Sequence, residues 1–182
     1  MARWEIELLG RYFKGDARAL IIAHGWAVAG LAGKVSARLA LPESERSFIE
    51  QASLLHDIGV CRVHAPDIGA VGEHDYIMHG VLGREILEME GFPLHALVCE
   101  RHTGVGLTVE DIVSQGLPLP HRDMTPQSLP EQIICFADLF YSKKAGRIAV
   151  QKSPVNVRQK LERFGADKLQ IFDIWLERFG PI

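Results

Sequence analysis

The stretch from Ala17 to about Leu39 constrains this chain more than any other. It holds no proline, and its apolar residues recur at helical spacing, so it reads as a long helix with little polar surface. Within it, ALIIAHGWAVAGLAG carries one ionisable group, His24, which shares a face with Leu20, Ala27, Val28 and Leu31. A helix that apolar needs partners of the same kind, and the rest of the chain supplies them. Arg3 to Phe13 reads as a short amphipathic helix ending near Gly15, with Asp16 as the N-cap of the long one and Pro42 beyond its end. Further helices are expected from about Glu43 to Ile58, Asp75 to Glu90, Pro93 to Arg101 and Val109 to Ser114. Ser128-Leu-Pro-Glu131 has the form of a capping box that opens a helix to about Lys143. Ser153-Pro154 caps another helix, broken at Gly165, and Ala166 to Phe179 is an amphipathic final one.

Two segments break this pattern. Cys61 to Glu73 holds Pro66, Gly69 and Gly72 and reads as an irregular loop. Gly116 to Gln127 holds Pro118, Pro120 and Pro126 and reads as extended loop, longer than a usual helix connection. Nothing reads as a convincing strand; Gly146 to Gln151 is the only β-prone stretch. The expected fold class is all-α, a helical bundle. With 182 residues, 47% of them hydrophobic, the chain suits one domain over 1–182 with a single core.

Charge and cysteine usage narrow the function classes. Lys and Arg number 20 against 23 Asp and Glu, a net charge of −3, with no basic stripe of the kind a nucleic-acid binder uses to displace counterions. Cys61, Cys99 and Cys135 are odd in number and form no CxxC pair, which points to buried thiols in a reducing, cytoplasmic setting. Met1 to Lys14 lacks the basic and apolar regions of a secretory signal. No run is expected to reach the roughly 18 apolar residues of a membrane span, so no membrane partner is expected.

The chemistry lies in ionisable groups placed where apolar ones belong. His56 and Asp57 follow Leu54 and Leu55 in QASLLHDIG, and Asp138 sits in IICFADLF between Ile134 and Tyr141 on its face. A carboxylate in such a setting costs several kcal/mol unless it is paired or ligates a cation. No Arg or Lys lies three or four residues from Asp57 or Asp138 within these windows. One shared cation accounts for His24, His56, Asp57 and Asp138 together, and imidazole plus oxygen ligands suit Fe, Mn, Zn, Ni or Co and leave room for Mg. His79, on the face of Leu82 and Ile86, and His102, at a helix end before Gly104, extend the set from separate helices, as in bundle metal sites. His64 and His74 flank the irregular loop and are candidates for substrate contact; His95 is expected at an exposed helix start, and His121 in the proline-rich loop.

The order His24, then His56-Asp57, then Asp138 resembles the signature of the HD superfamily of metal-dependent phosphohydrolases, and LLHDIG, Leu54 to Gly59, resembles its HDIG subgroup. The resemblance covers roughly Leu20 to Lys143. It implies an HD-type helical bundle with a metal-binding core at about 17–145 and C-terminal helices at 153–180. It implies that His24, His56, Asp57 and Asp138 bind a first divalent metal, and that Asp57 bridges to a second held by His79 and His102. The implied activity is hydrolysis of a phosphate ester, phosphoanhydride or nucleotide-type substrate by a metal-activated, bridging water, with Asp57 and His56 central to that activation. Two departures are plain. Val60 stands where dinuclear members often carry lysine, and there is no GYP motif.

Substrate phosphates call for cations, and the candidates are Arg101 beside His102, Lys143 and Lys144 beyond Asp138, and Arg62 and Arg122 on loops. Two other classes are compatible with this ligand set: an HD-fold di-iron oxygenase, and a non-catalytic nucleotide-binding or signalling module. The final helix places Ile171, Trp175 and Phe179 on one stripe, which either packs on the bundle or makes a homodimer.

Overall fold

Proline and glycine mark most of the joints between elements, and between them the expected helices form. A computed structural model of the chain describes residues 3–144 and 146–181. Positions 1, 2, 145 and 182, where the expected domain and core limits fall, lie outside the described residues.

Among the described residues the order is α1 (Trp4–Tyr12), α2 (Gly15–Arg38), α3 (Glu43–Leu55), a short hairpin of β1 (His64–Ala65) and β2 (Ala70–Val71), then α4 (His79–Met89), α5 (Pro93–Arg101), α6 (Val109–Ser114), α7 (Leu129–Leu139), α8 (Pro154–Leu161) and α9 (Ala166–Phe179). The fold is all-α, as expected. The β1–β2 hairpin is antiparallel, pairs His64 with Val71, and lies inside the segment expected as irregular loop. Gly146 to Gln151 forms no strand in its described part.

Several boundaries differ from expectation, each for a local reason. Asp16 does not cap α2, because the helix already begins at Gly15 and places Asp16 in its first turn, where a carboxylate favours the helix dipole. Ser128 caps α7, its hydroxyl oxygen accepting from the Glu131 amide at 3.3 Å. The reciprocal capping box is found at α6, where Thr108 and Asp111 bond each other's backbone. Helix α3 stops at Leu55 instead of Ile58, and α7 at Leu139 instead of Lys143. In both, the chain leaves the helix beside a candidate ligand, and a tight 3-10 turn over Ile58–Arg62 follows the first.

Two apolar clusters organise the bundle. One joins α2, α3, α7, α8 and α9 through Val28, Val35, Ile49, Phe136, Phe140, Leu161, Phe172 and Phe179. The other joins α1, the end of α3 and the turn after it, α4 and α5 through Leu8, Leu9, Leu55, Ile58, Leu82, Ile86 and Cys99. Each such side chain contributes about 2 kcal/mol when fully buried. The stripe on α9 packs into the first cluster, with Trp175 and Phe179 buried there.

Helix α2 corrects one expectation: over an 18-residue window its mean hydropathy is 1.3, long and apolar enough to cross a membrane on length and composition. Half of that window is buried, and α2 packs against α3 and α7 as a core helix of the bundle. On α2, Ile21 belongs to the second cluster and Val28 to the first, with the buried His24 between them.

Candidate metal centre

The six candidate ligands converge because helix ends aim them at one point. His24 projects from the middle of α2. His56 is the C-cap of α3, and Asp57 follows in a non-helical turn (φ −105°, ψ 13°). His79 opens α4, His102 is the C-cap of α5, and Asp138 is the next-to-last residue of α7. His24, His56, Asp57, His79 and His102 are all at most 4% exposed, and the Asp138 side chain is 18% exposed towards a cavity.

Close backbone packing makes this convergence feasible. A Cβ at Gly59 would overlap the carbonyl oxygen of His79 and the amide nitrogen of Gly83. A Cβ at Gly80 would lie 2.7 Å from the Cys99 carbonyl oxygen. Glycine at these positions lets the turn after Asp57, α4 and α5 lie backbone to backbone, which brings His79 and His102 within reach of Asp57.

The two oxygens of Asp57 face different partners. Oδ2 lies 3.3 Å from His24 Nε2 and 3.1 Å from His56 Nε2. Asp138 Oδ1 closes that group, 2.9 Å from His24 Nε2 and 3.6 Å from His56 Nε2. Oδ1 of Asp57 lies 3.6 Å from His79 Nε2 and 3.5 Å from His102 Nε2. The carboxylate therefore stands between two sets of donors, the arrangement a bridging ligand requires.

Imidazole orientation supports a cation. The Nδ1–H of His56, His79 and His102 each donates to a carbonyl three residues earlier: Ser53 at 2.6 Å, Tyr76 at 2.7 Å and Cys99 at 2.7 Å. That fixes the ring orientation and turns each Nε2 inward, as in metal-bound histidine. His79 and His102 bring their Nε2 atoms within 3.0 Å of each other. This contact is repulsive unless a proton or a cation lies between them. Burial, helped by His102, holds His79 neutral with its pKa lowered to about 3, so its Nε2 keeps a lone pair that a cation can use. Both Asp57 oxygens and His56 Nε2 are buried with no well-directed hydrogen bond. Unpaired groups of this kind cost more than they contribute. The donor set fits one or two divalent cations.

The remaining charges are uneven. Burial opposes ionisation of His56, but Asp57 and Asp138 override it and raise its pKa to about 10. Burial likewise opposes the charge on Asp57, but His56 and Lys143 hold its pKa well below the usual range; Lys143 and His24 do the same for Asp138. Lys143 Nζ lies 2.9 Å from Asp57 Oδ2 and 5.8 Å from the centre of the Tyr76 ring. Val60, in the place where a lysine was noted as common, is buried in the second apolar cluster. The ammonium that reaches Asp57 comes instead from Lys143, which lies just beyond α7.

The centre opens into a cavity of about 390 Å³, whose lining includes His24, His79, His102, Asp138, Tyr76 and Lys143. Of the five cations named as substrate candidates, Lys143 and Lys144 line it; Arg62, Arg101 and Arg122 do not, because carboxylates claim them elsewhere. Arg62 pairs with Glu85 at 3.0 Å, and Arg101 with Glu131 at 3.0 Å. Arg122 and Arg84 both hold the buried Glu100, each at 2.5 Å, which ties the proline-rich loop to α4 and α5. The His64 backbone N–H donates to the His74 carbonyl oxygen at 2.8 Å beside the hairpin, and both residues stay outside the lining. His95 is packed among Trp4, Phe48 and Phe92 and is half-buried, contrary to the exposed position expected. Tyr76, Tyr141, Lys152 and Lys160 also line the cavity and were not singled out from sequence. Tyr76 had one available signal, its position three residues before His79 in YIMHG.

An all-α bundle with a buried histidine-aspartate centre defines a class of metal-binding helical protein, and comparison makes the class specific. The family model described as HD domain matches residues 21–142, so the chain belongs to the HD domain family. HD domains bind divalent metals and are often metal-dependent hydrolases. The chain is 39% identical over 97 residues to the uncharacterized protein MJ0778 of Methanocaldococcus jannaschii, covering 53% of this chain and 50% of that protein. It is 31% identical over 134 residues to the tRNA (cytidine(56)-2'-O)-methyltransferase of Picrophilus torridus, covering 72% of this chain and 33% of that one. The enzyme of the same name from Thermoplasma volcanium is 29% identical over 157 residues, covering 85% and 40%. The chain thus spans between a third and a half of these relatives' lengths. No solved structure matches.

Proposed function

We propose that the protein is a dinuclear, metal-dependent phosphohydrolase of the HDIG-type subgroup, acting on a phosphate ester or nucleotide-type substrate. The observation that carries this reading is the division of Asp57, with Oδ2 turned to His24, His56 and Asp138 and Oδ1 turned to His79 and His102. His24, His56, Asp57 and Asp138 would hold one cation, and Asp57, His79 and His102 the other. Such a pair, when bound, activates water near neutral pH and neutralises the charge of a phosphoryl group.

The chain's own residues supply the rest. The three Nδ1–H bonds to backbone carbonyls hold the imidazoles in register, so little reorganisation is needed on loading. Lys143 is placed to hold a phosphoryl oxygen beside Asp57, with Tyr76 forming part of the wall. A cavity of about 390 Å³ falls in the range of small-ligand sites. Gly59 gives the HDIG resemblance a physical basis, since any side chain there would collide with α4. Two relatives are named for methylation of a tRNA cytidine, which accords with a nucleotide-type substrate; their named reaction is not carried over to this chain.

The test is metal analysis of the purified protein combined with a panel of phosphomonoesters, cyclic and linear phosphodiesters and nucleoside polyphosphates. The reading expects bound divalent metal and turnover of at least one class. Stoichiometric metal with no turnover across the panel would overturn it. Oxygen consumption with an EPR-active mixed-valent iron pair would move the assignment to an oxygenase.

A further inference from the structure

Beyond the metal ligands, the cavity has a wall of one charge. Lys144, Lys152 and Lys160 line it together with Lys143, while among the described residues Asp67 is its only carboxylate apart from the ligand Asp138. This happens in a chain whose net charge is −3, so composition does not produce it. Three separate pieces of chain contribute: the segment after α7, the lead-in to α8, and α8 itself. Among the described residues, Lys144, Lys152 and Lys160 form no ion pair with a carboxylate, whereas Arg62, Arg101 and Arg122 are all paired.

Lys152 is the best fixed of the three. Its ammonium donates to the carbonyl oxygens of Leu139, at 3.1 Å, and of Tyr141, at the end of α7. An ammonium has three donors, so one is left for a ligand. Burial, then the nearby Lys160, lowers the pKa of Lys152 despite the attraction of Asp138, which accords with cations crowded on one wall. A fold that holds cations against their mutual repulsion beside a phosphoryl site is built to receive more than one anionic group.

Resting on the phosphohydrolase reading, we infer that the substrate carries a second phosphate. One phosphoryl group occupies the metal centre beside Lys143, and the other is bound at the rim by Lys144, Lys152 and Lys160. The wall then acts as a specificity element that favours bisphosphorylated or oligophosphorylated nucleotides over monophosphates.

The probes are adenosine 5′-monophosphate and adenosine 3′,5′-bisphosphate, which share a scaffold and lack a polyphosphate chain able to strip metal. Binding to the metal-loaded protein is measured by calorimetry at two salt concentrations. Lys144 and Lys160 are exposed, so Lys144→Ala/Lys160→Ala is expected to fold; Lys152 is left intact because it caps α7. The wild type should bind the bisphosphate at least about tenfold more tightly, with the steeper salt dependence, and the double variant should lose most of that preference while its monophosphate affinity stays within about twofold. Equal affinities in the wild type, or an unchanged preference in the double variant, would overturn the inference. Hydrolysis of monoesters without any bisphosphate preference would sink the wall and leave the phosphohydrolase reading standing. A lysine-dependent preference in a protein that hydrolyses nothing would do the reverse.

Discussion

The two sides of Asp57 are built on different principles. On the Oδ2 side, His24 and Asp138 meet across 114 positions of sequence, and the group is charged, with two carboxylates, a protonated His56 and the Lys143 ammonium. On the Oδ1 side, His79 and His102 are 23 positions apart on the α4–α5 hairpin, and burial keeps His79 neutral. The first side depends on the whole bundle closing and on electrostatics. The second depends on local backbone packing at Gly59, Gly80 and Gly83. Losses on the two sides should therefore differ in kind.

The largest contrast is expected from ligand removal. Asp138→Ala should lower kcat at least about a thousandfold, because the charged cation site is lost together with its transition-state stabilisation. His79→Ala should reduce the metal content from two per chain towards one and leave more residual activity. Equal metal loss from the two variants would erase the distinction between the sides.

Next in size is Gly59→Ala. Its Cβ collides with backbone, which cannot swing away as a side-chain tip can, so a stability loss of about 3 kcal/mol is expected in urea denaturation. Metal loss in the surviving folded protein should fall on the His79–His102 side first. A variant of wild-type stability would show that the helices are free to separate.

A smaller effect separates the sides by pH. In the metal-free protein His56 is protonated up to about 10, whereas His79 is already neutral above about 3. Loading the Oδ2 side at pH 7 must therefore expel a proton from His56. Metal affinity there should rise on the order of tenfold per pH unit until pH approaches 10. Calorimetry in buffers of different ionisation enthalpy should find about one proton released, and His79→Ala should retain that release. The same shift has a sign for stability. A raised histidine pKa stabilises the metal-free fold fully below the ordinary value near 6.5 and ceases to do so as pH climbs to about 10.

The smallest effect belongs to Arg101, which pairs with Glu131 outside the cavity. Arg101→Met should leave KM within about twofold and cost about 1 kcal/mol of stability, as for a partly exposed ion pair. A tenfold rise in KM would return Arg101 to the substrate site.

Much of this was legible in sequence because burying an ionisable side chain is costly. His24, His56, Asp57 and Asp138 announced themselves by standing in apolar helical windows, and His79 and His102 by their helical faces and ends. Ion pairs were not legible: Arg101 finds Glu131 and Arg122 finds Glu100 across 30 and 22 positions, and no local pattern encodes that. Lys143 illustrates the same limit, since α7 ends four residues before it and its direction is set by the chain beyond the helix. Helices α3 and α7 end early beside their ligands, where propensity alone would continue them. The β1–β2 hairpin is too short to leave a period-two pattern.

The claim that Asp57 joins two cation sites is tested most directly by metal content in Asp57→Ala, with helicity followed by circular dichroism. The structure predicts near-complete loss of both metals with most of the helix signal retained. Retention of two metals per chain would contradict it.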